Sequence, residues 1–218
     1  MKDKSLIIGS NNNGDDITIL TVELWLSDIH KHKNDLADLI YNRLYNRYIK
    51  PFNYDNPSFK SDYKNGFAIM ASSCLLIETY ISFTVPEFIN TYRKSERCFG
   101  YFFTTEKRFK AFAIGGLNPK DYINREELKG KGIPKKFYRD VRCGILHNGE
   151  TRKNWRIRRD SNRLLLISRK SNLINATLFL SELSEVLKDY KQKLIDNNES
   201  SEIWLVCKER LEFLIKKS

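Results

Sequence analysis

A guanidinium and an imidazole five residues apart, Arg142 and His147, are the side chains in this 218-residue chain whose types and spacing best suit work on a phosphodiester. RNA carries its own nucleophile. Its 2′-hydroxyl can attack the adjacent phosphorus, forming a 2′,3′-cyclic phosphate and breaking the bond to the 5′ oxygen. A base must take the 2′ proton and an acid must protonate the leaving oxygen, and histidine can do either near neutral pH. Negative charge gathers on the non-bridging oxygens, where a guanidinium can bind with two parallel N–H donors. Five residues turn an α-helix through about 500°, so Arg142 and His147 emerge about 140° apart. One helix does not make a compact pair of them. Two antiparallel copies across a two-fold axis can line one groove, so the spacing predicts a homodimer.

These residues need a helix to carry them. Pro134 sits where a first helical residue is favoured, Asn148-Gly149 reads as the end, and Phe137, Val141 and Ile145 form the core-facing stripe. Upstream, Gly66 to Val85 reads as the most apolar helix, apolar all round and therefore central. Glu78 falls on its Phe67/Cys74/Ile81 stripe. A carboxylate there has to find a cation or donors. Arg142 is the expected partner, with Glu78 orienting the guanidinium.

Charge surrounds the same region. Of a formal net charge of +11, the segment from Lys131 to Lys170 carries +10, with thirteen Lys or Arg against Asp140, Glu150 and Asp160. A local block of this kind points to a phosphate partner more directly than a high average does. Lys135, Lys136, Arg139, Arg152, Lys153 and Arg156 are the candidate RNA contacts, and Trp155 among them is a candidate to stack a base. A solvated basic face, and for Trp155 a packing role, are the structural alternatives. No metal or cofactor is expected: the four cysteines are far apart without a CxxC pair, His30 and His32 leave a helix on different faces, and no GxxxxGK or GxGxxG loop occurs.

The remaining pattern is that of a mainly all-α helical bundle. Residues 1–16 read as a flexible lead and 17–218 as one helical domain. Helical patterning runs from Ile17 to Ile49 with a break around His30 to Lys33, and Pro51 ends it. Phe52 to Asn65 reads as a loop. Short helices follow between Pro86 and Pro119, then a polar connector from Asp121 to Gly132. Trp155–Arg158 and Leu164–Ser168 read as a small β-hairpin insert. Leu180, Leu183, Leu187, Tyr190 and Leu194 step by three and four, and Trp204, Cys207, Leu211 and Leu214 repeat that step in a last helix. The apolar run Leu6–Gly9 is too short for a secretory signal, and Phe67–Val85 is interrupted by Ser, Glu and Thr, so the expected location is cytoplasmic, without a membrane span.

Arg142, four residues, then His147, late in a helix, resembles the RxxxxH signature of the HEPN superfamily. The stretch Tyr138-Arg139-Asp140-Val141-Arg142-Cys143-Gly144-Ile145-Leu146-His147-Asn148-Gly149-Glu150-Thr151 resembles a bacterial branch of it. So do Gly66–Ala71 and Cys74–Thr79 upstream and Ile174–Thr177 downstream, and the likeness spans roughly Thr21 to Leu194. The resemblance implies a HEPN-type bundle in which Arg and His from two subunits share one cleft and cut RNA without metal. It also implies a toxin or phage-defence setting with an antitoxin or other defence partner. A non-catalytic module binding RNA or protein is the alternative that the superfamily also contains. Two positions depart from its pattern. Cys143 follows the Arg, where active members often carry a polar residue. Gly149 replaces a tyrosine that one toxin subgroup uses for control.

Overall fold

A computed structural model describes residues 3–52, 65–124 and 132–217. The chain is 67% helix and 9% strand, which makes the fold mainly α. The loop read over Phe52–Asn65 and the connector read over Asp121–Gly132 lie, for residues 53–64 and 125–131, outside the described residues.

The first departure from the sequence reading is at the N-terminus. Residues 7–16, read as part of a flexible lead, and Ile17–Thr18, read as the start of a helix, instead form a strand pair with its turn, β1 (Ile7–Ser10) and β2 (Asp16–Thr18), antiparallel with a bulge. The turn between them is made by Asn11, whose side-chain oxygen accepts from the backbone N–H groups of Asn13 and Asp15, with Gly14 at φ +90°. Ile8 and Ile17 are buried. The pair docks so closely on the second helix, Ile29–Tyr48, that a Cβ at Gly9 would meet Leu39 at 2.6 Å. An Asn-rich stretch looks unstructured in isolation. Here it is ordered by a surface elsewhere in the chain.

Helix α1 (Ile19–Ser27) starts two residues later than the apolar pattern suggests, because Thr18 caps it. Asp28 caps α2 (Ile29–Tyr48), and the break read around His30 appears as non-helical geometry at His32. Central helix α3 (Gly66–Thr84) buries Ile69, Met70, Cys74, Leu76, Ile77, Ile81 and Phe83. It is not apolar-buried all round, since Phe67 and Leu75 are exposed. It is long and apolar enough to cross a membrane, yet 67% of that stretch is buried inside the protein. Helix α4 (Ser95–Thr105), a 3₁₀ segment (Lys107–Ala113) and α5 (Pro119–Asn124) follow. Helices α6 (Ile133–Lys136) and α7 (Cys143–Asn148) are joined by a π-helical segment, Phe137–Arg142. The two last helices are α8 (Ala176–Asp196) and α9 (Glu202–Lys217). Helix α8 packs on α2 and α3, and α9 on α3.

The β insert also departs from expectation. Strands β3 (Trp155–Arg158) and β4 (Leu165–Ile167) do not form a hairpin with each other. A third strand, β5 (Asn172–Asn175), lies between them, parallel to β3 and antiparallel to β4. Asn175 explains the order. Its side-chain oxygen caps α8 by accepting from Leu178 N–H, while its side-chain amide donates to the carbonyls of Arg159 and Ser161 in the β3–β4 connection. One residue thus ends β5, starts α8 and holds the loop that would otherwise have closed a hairpin.

An aromatic cluster anchors the segment that bears Arg142. Phe137 is fully buried and touches Phe99, Phe103, Phe112 and Phe179, with ring centroids 4.9–5.8 Å apart. Burying a phenyl ring contributes about 1.5–3 kcal/mol, so this contact fixes the rotation of the whole α6–α7 segment.

Candidate active site

Pro134 lies in the first turn of α6, and Gly149, at φ +73°, ends α7 with its N–H on the carbonyl of Ile145. Between them, the N–H of Cys143 reaches back five residues to the carbonyl of Tyr138, as a π-turn requires. The chain then folds back over the helix. The backbone N–H of Arg152 donates to the Asp140 carbonyl at 2.7 Å. Gly144 makes that return possible, because a Cβ there would lie 2.5 Å from the Glu150 carbonyl oxygen. Gly144→Ala should therefore destabilise the protein by about 1–3 kcal/mol despite alanine's better helix propensity. Chemical denaturation measures this, and an unchanged midpoint would contradict the tight approach.

Arg142 is the best-held side chain of the segment. Its Nε donates to Glu78 Oε1 at 2.8 Å, and both side chains are largely buried, 15% and 13% exposed. The guanidinium carbon lies 5.6 Å from the centre of the Tyr138 ring. Burial works against its charge, but the hydrogen bond and charge of Glu78 outweigh that and hold its pKa above the ordinary value. Glu78 in turn accepts from Ser95 Oγ at 3.2 Å through its other oxygen. The carboxylate is thus occupied on both sides, as an orienting group would be. Among the described residues, the Nη groups of Arg142 make no hydrogen bond and remain as donors.

Tyr138 and Cys143 complete this cluster. Burial, Cys143 and Glu78 push the Tyr138 phenol up to about 12 against the opposing effect of Arg142, so it stays protonated at neutral pH. Sequence reasoning passed over Tyr138 as a member of the site, although its i, i+4 relation to Arg142 is readable. Ser95 gave no sequence signal at all. The Cys74 thiol is raised well above its ordinary range by burial, and those of Cys98 and Cys207 are raised to about 12, as inert buried thiols are.

His147 stands apart from this cluster. It is exposed in the last turn of α7 and makes no hydrogen bond with any described residue. A single chain therefore holds Arg142 against α3 while leaving His147 in solvent.

The expected RNA contacts divide. Lys136, Arg152, Lys153 and Arg156 are exposed, and the Arg152 guanidinium donates to the Asn148 side chain at 3.1 Å. Arg139 is engaged as a two-pronged partner of the buried Asp140 carboxylate, at 2.7 and 2.6 Å. Lys135 lies 3.8 Å from Glu96. Trp155 is a correction. It is 4% exposed and meets Phe137 edge-on at 6.3 Å, so no face of the indole is open to a base. Strand alternation is the reason: Trp155 points to the core and Arg156 to solvent.

Among the described residues, no three of His, Cys, Asp and Glu gather as a group that could hold a metal ion. Comparison of the chain with protein-family models, curated proteins and solved structures gave no match.

Proposed function

We propose that this protein is an endoribonuclease of the HEPN type that cuts RNA by 2′-hydroxyl attack at a composite site in a homodimer. The carrying observation is Arg142, clamped through Nε by Glu78 with its Nη donors unspent among the described residues, on the same helical segment as an exposed His147. The exposed cations Lys136, Arg152, Lys153 and Arg156 supply the surroundings a phosphate backbone needs. In this reading His147 moves the proton and Arg142 binds the charge that develops on phosphorus. The second subunit supplies the group that one chain leaves too far around the helix. The resemblance around Arg142–His147 supports the same reading and suggests a cytoplasmic toxin or defence protein with an antitoxin or defence-system partner. The reaction asks for no metal, so labelled RNA should be cut by the pure protein in EDTA and spared by His147→Ala. Intact RNA with both would refute catalysis.

One observation favours a second reading. Among the described residues of the single chain no hydrogen bond orients His147, which fits a non-catalytic module that binds RNA or a protein partner through the same basic face. Binding without cleavage would select it.

Both readings share an electrostatic prediction. Each neutralised phosphate of a single strand contributes about −0.7 to the slope of log K against log salt. Reversing the charge of Arg152, Lys153 and Arg156 should weaken RNA binding and flatten that slope by about 2. A salt titration by fluorescence anisotropy reads it, and an unchanged slope would place the RNA track elsewhere.

A further inference from the structure

A second concentration of cations lies on α2 and α9, independent of the cleavage site and of the basic block around it. Arg43, Arg47 and Arg210 line a cavity of about 110 Å³ with Tyr48 and Thr79. Arg43 and Arg47 are one turn apart on α2, Arg210 comes from α9, and Thr79 from α3. Thr79 directly follows Glu78, but one residue is about 100° of helix rotation, so it faces away from the Glu78–Arg142 pair.

The three guanidinium groups have no counter-charge among the described residues. None forms an ion pair with a carboxylate among the described residues. Arg43 donates to the Ile8 carbonyl and Arg210 donates through Nη1 to the Ile89 carbonyl at 2.7 Å, both neutral acceptors. The Nε of Arg210 is buried without a hydrogen-bond partner among the described residues. Its guanidinium is wedged against the rings of Phe83 and Phe213. Burial, with Arg47 and Arg210 adding to it against a smaller opposing effect of Tyr48, lowers Arg43 to about 10, and burial lowers Arg210 as well. Two half-buried arginines beside an exposed third, one of them with a buried donor left without a partner among the described residues, are an arrangement completed by an anion.

We propose that the Arg43–Arg47–Arg210 cavity is a binding site for a terminal phosphoryl group, either inorganic phosphate or the monoester end of a larger molecule. Three positive charges exceed what one carboxylate or one internal diester can offset, and a phosphoryl dianion comes closest. Its tetrahedral oxygens match guanidinium forks set on different helices. The space suits one oxyanion. The hydroxyl of Tyr48 lies 3.4 Å from that of Thr79, whose own proton goes to the Leu75 carbonyl, so Tyr48 is the donor in that long contact and gives it up when it donates to the ligand.

The test is calorimetric titration and thermal denaturation of the full chain with inorganic phosphate and with a nucleoside 5′-monophosphate, against chloride at matched ionic strength. Phosphate should bind and raise the melting temperature where chloride does not. Arg47 is exposed and makes no hydrogen bond among the described residues, so Arg47→Gln should fold normally. It should weaken phosphate binding by about tenfold, the loss expected for one charge-assisted contact. Arg210→Lys should weaken it similarly, and if that variant folds poorly Arg47→Gln alone decides. Tighter binding of the monophosphate than of phosphate identifies an ester end as the ligand, and equal binding identifies the free anion. Absence of binding at millimolar phosphate overturns the proposal. So does binding that ignores Arg47→Gln but disappears when Arg152, Lys153 and Arg156 are reversed.

Discussion

Replacing His147 by alanine is expected to slow RNA cleavage by at least the ~10²–10⁴-fold typical of general acid–base catalysis, with folding intact. Folding should survive because His147 is exposed and its side chain contributes no hydrogen bond among the described residues. Arg142→Lys should fail to a similar degree, because a point charge does not replace a planar fork. The double variant should lose little more than either single one, since residues acting as a unit are not additive. Products should end in a 2′,3′-cyclic phosphate or its hydrolysed form opposite a free 5′-hydroxyl, and DNA should resist. If the site is composite, mixing the His147→Ala and Arg142→Ala proteins should restore part of the activity through dimers that carry one complete pair of residues. Chromatography of the labelled ends and light scattering read these outcomes. A 5′-phosphate product, a requirement for Mg²⁺, or full activity in a strict monomer would each show the mechanism to be wrong.

Glu78→Ala should be the most damaging single change to stability within the site, at about 3 kcal/mol, because it strands a largely buried guanidinium and leaves Ser95 without its acceptor. For a chain of this size that is a fall of roughly 6–12 °C in melting temperature. The pair itself need not be stabilising. Removing both charges with Glu78→Leu and Arg142→Met together should recover much of the loss, since a buried ion pair and a well-packed apolar pair are often close in free energy. Glu78→Gln separates positioning from folding: it keeps an acceptor for Arg142 Nε, so stability should fall less while cleavage still drops. A melting temperature unaltered by Glu78→Ala would mean that Arg142 is held by other contacts, of which the Tyr138 ring is the foremost.

The sequence by itself determined a good deal of this protein. The helices α3, α8 and α9 follow from apolar spacing, because burial on one face is written locally every three or four residues. Pro134 and Gly149 mark the ends of the Arg142–His147 segment, because their backbone preferences are intrinsic. The Glu78–Arg142 contact was legible too, since a carboxylate on an apolar stripe has few ways to be satisfied. Tertiary structure decided what depends on distant partners. The strand pair β1–β2 buries Ile8 and Ile17 and packs β1 against α2, a surface about 30 residues further along the chain. The order of the small sheet turns on Asn175, whose side chain serves two elements at once. Trp155 was a base-stacking candidate by its basic neighbours, and only the position of Phe137 shows that its indole belongs to the core. The arginine cavity gathers Arg43, Arg47 and Arg210 from helices more than 150 residues apart in the chain. No local pattern reports such a gathering, because charge repulsion and desolvation act through space while sequence periodicity records only what one element does to itself.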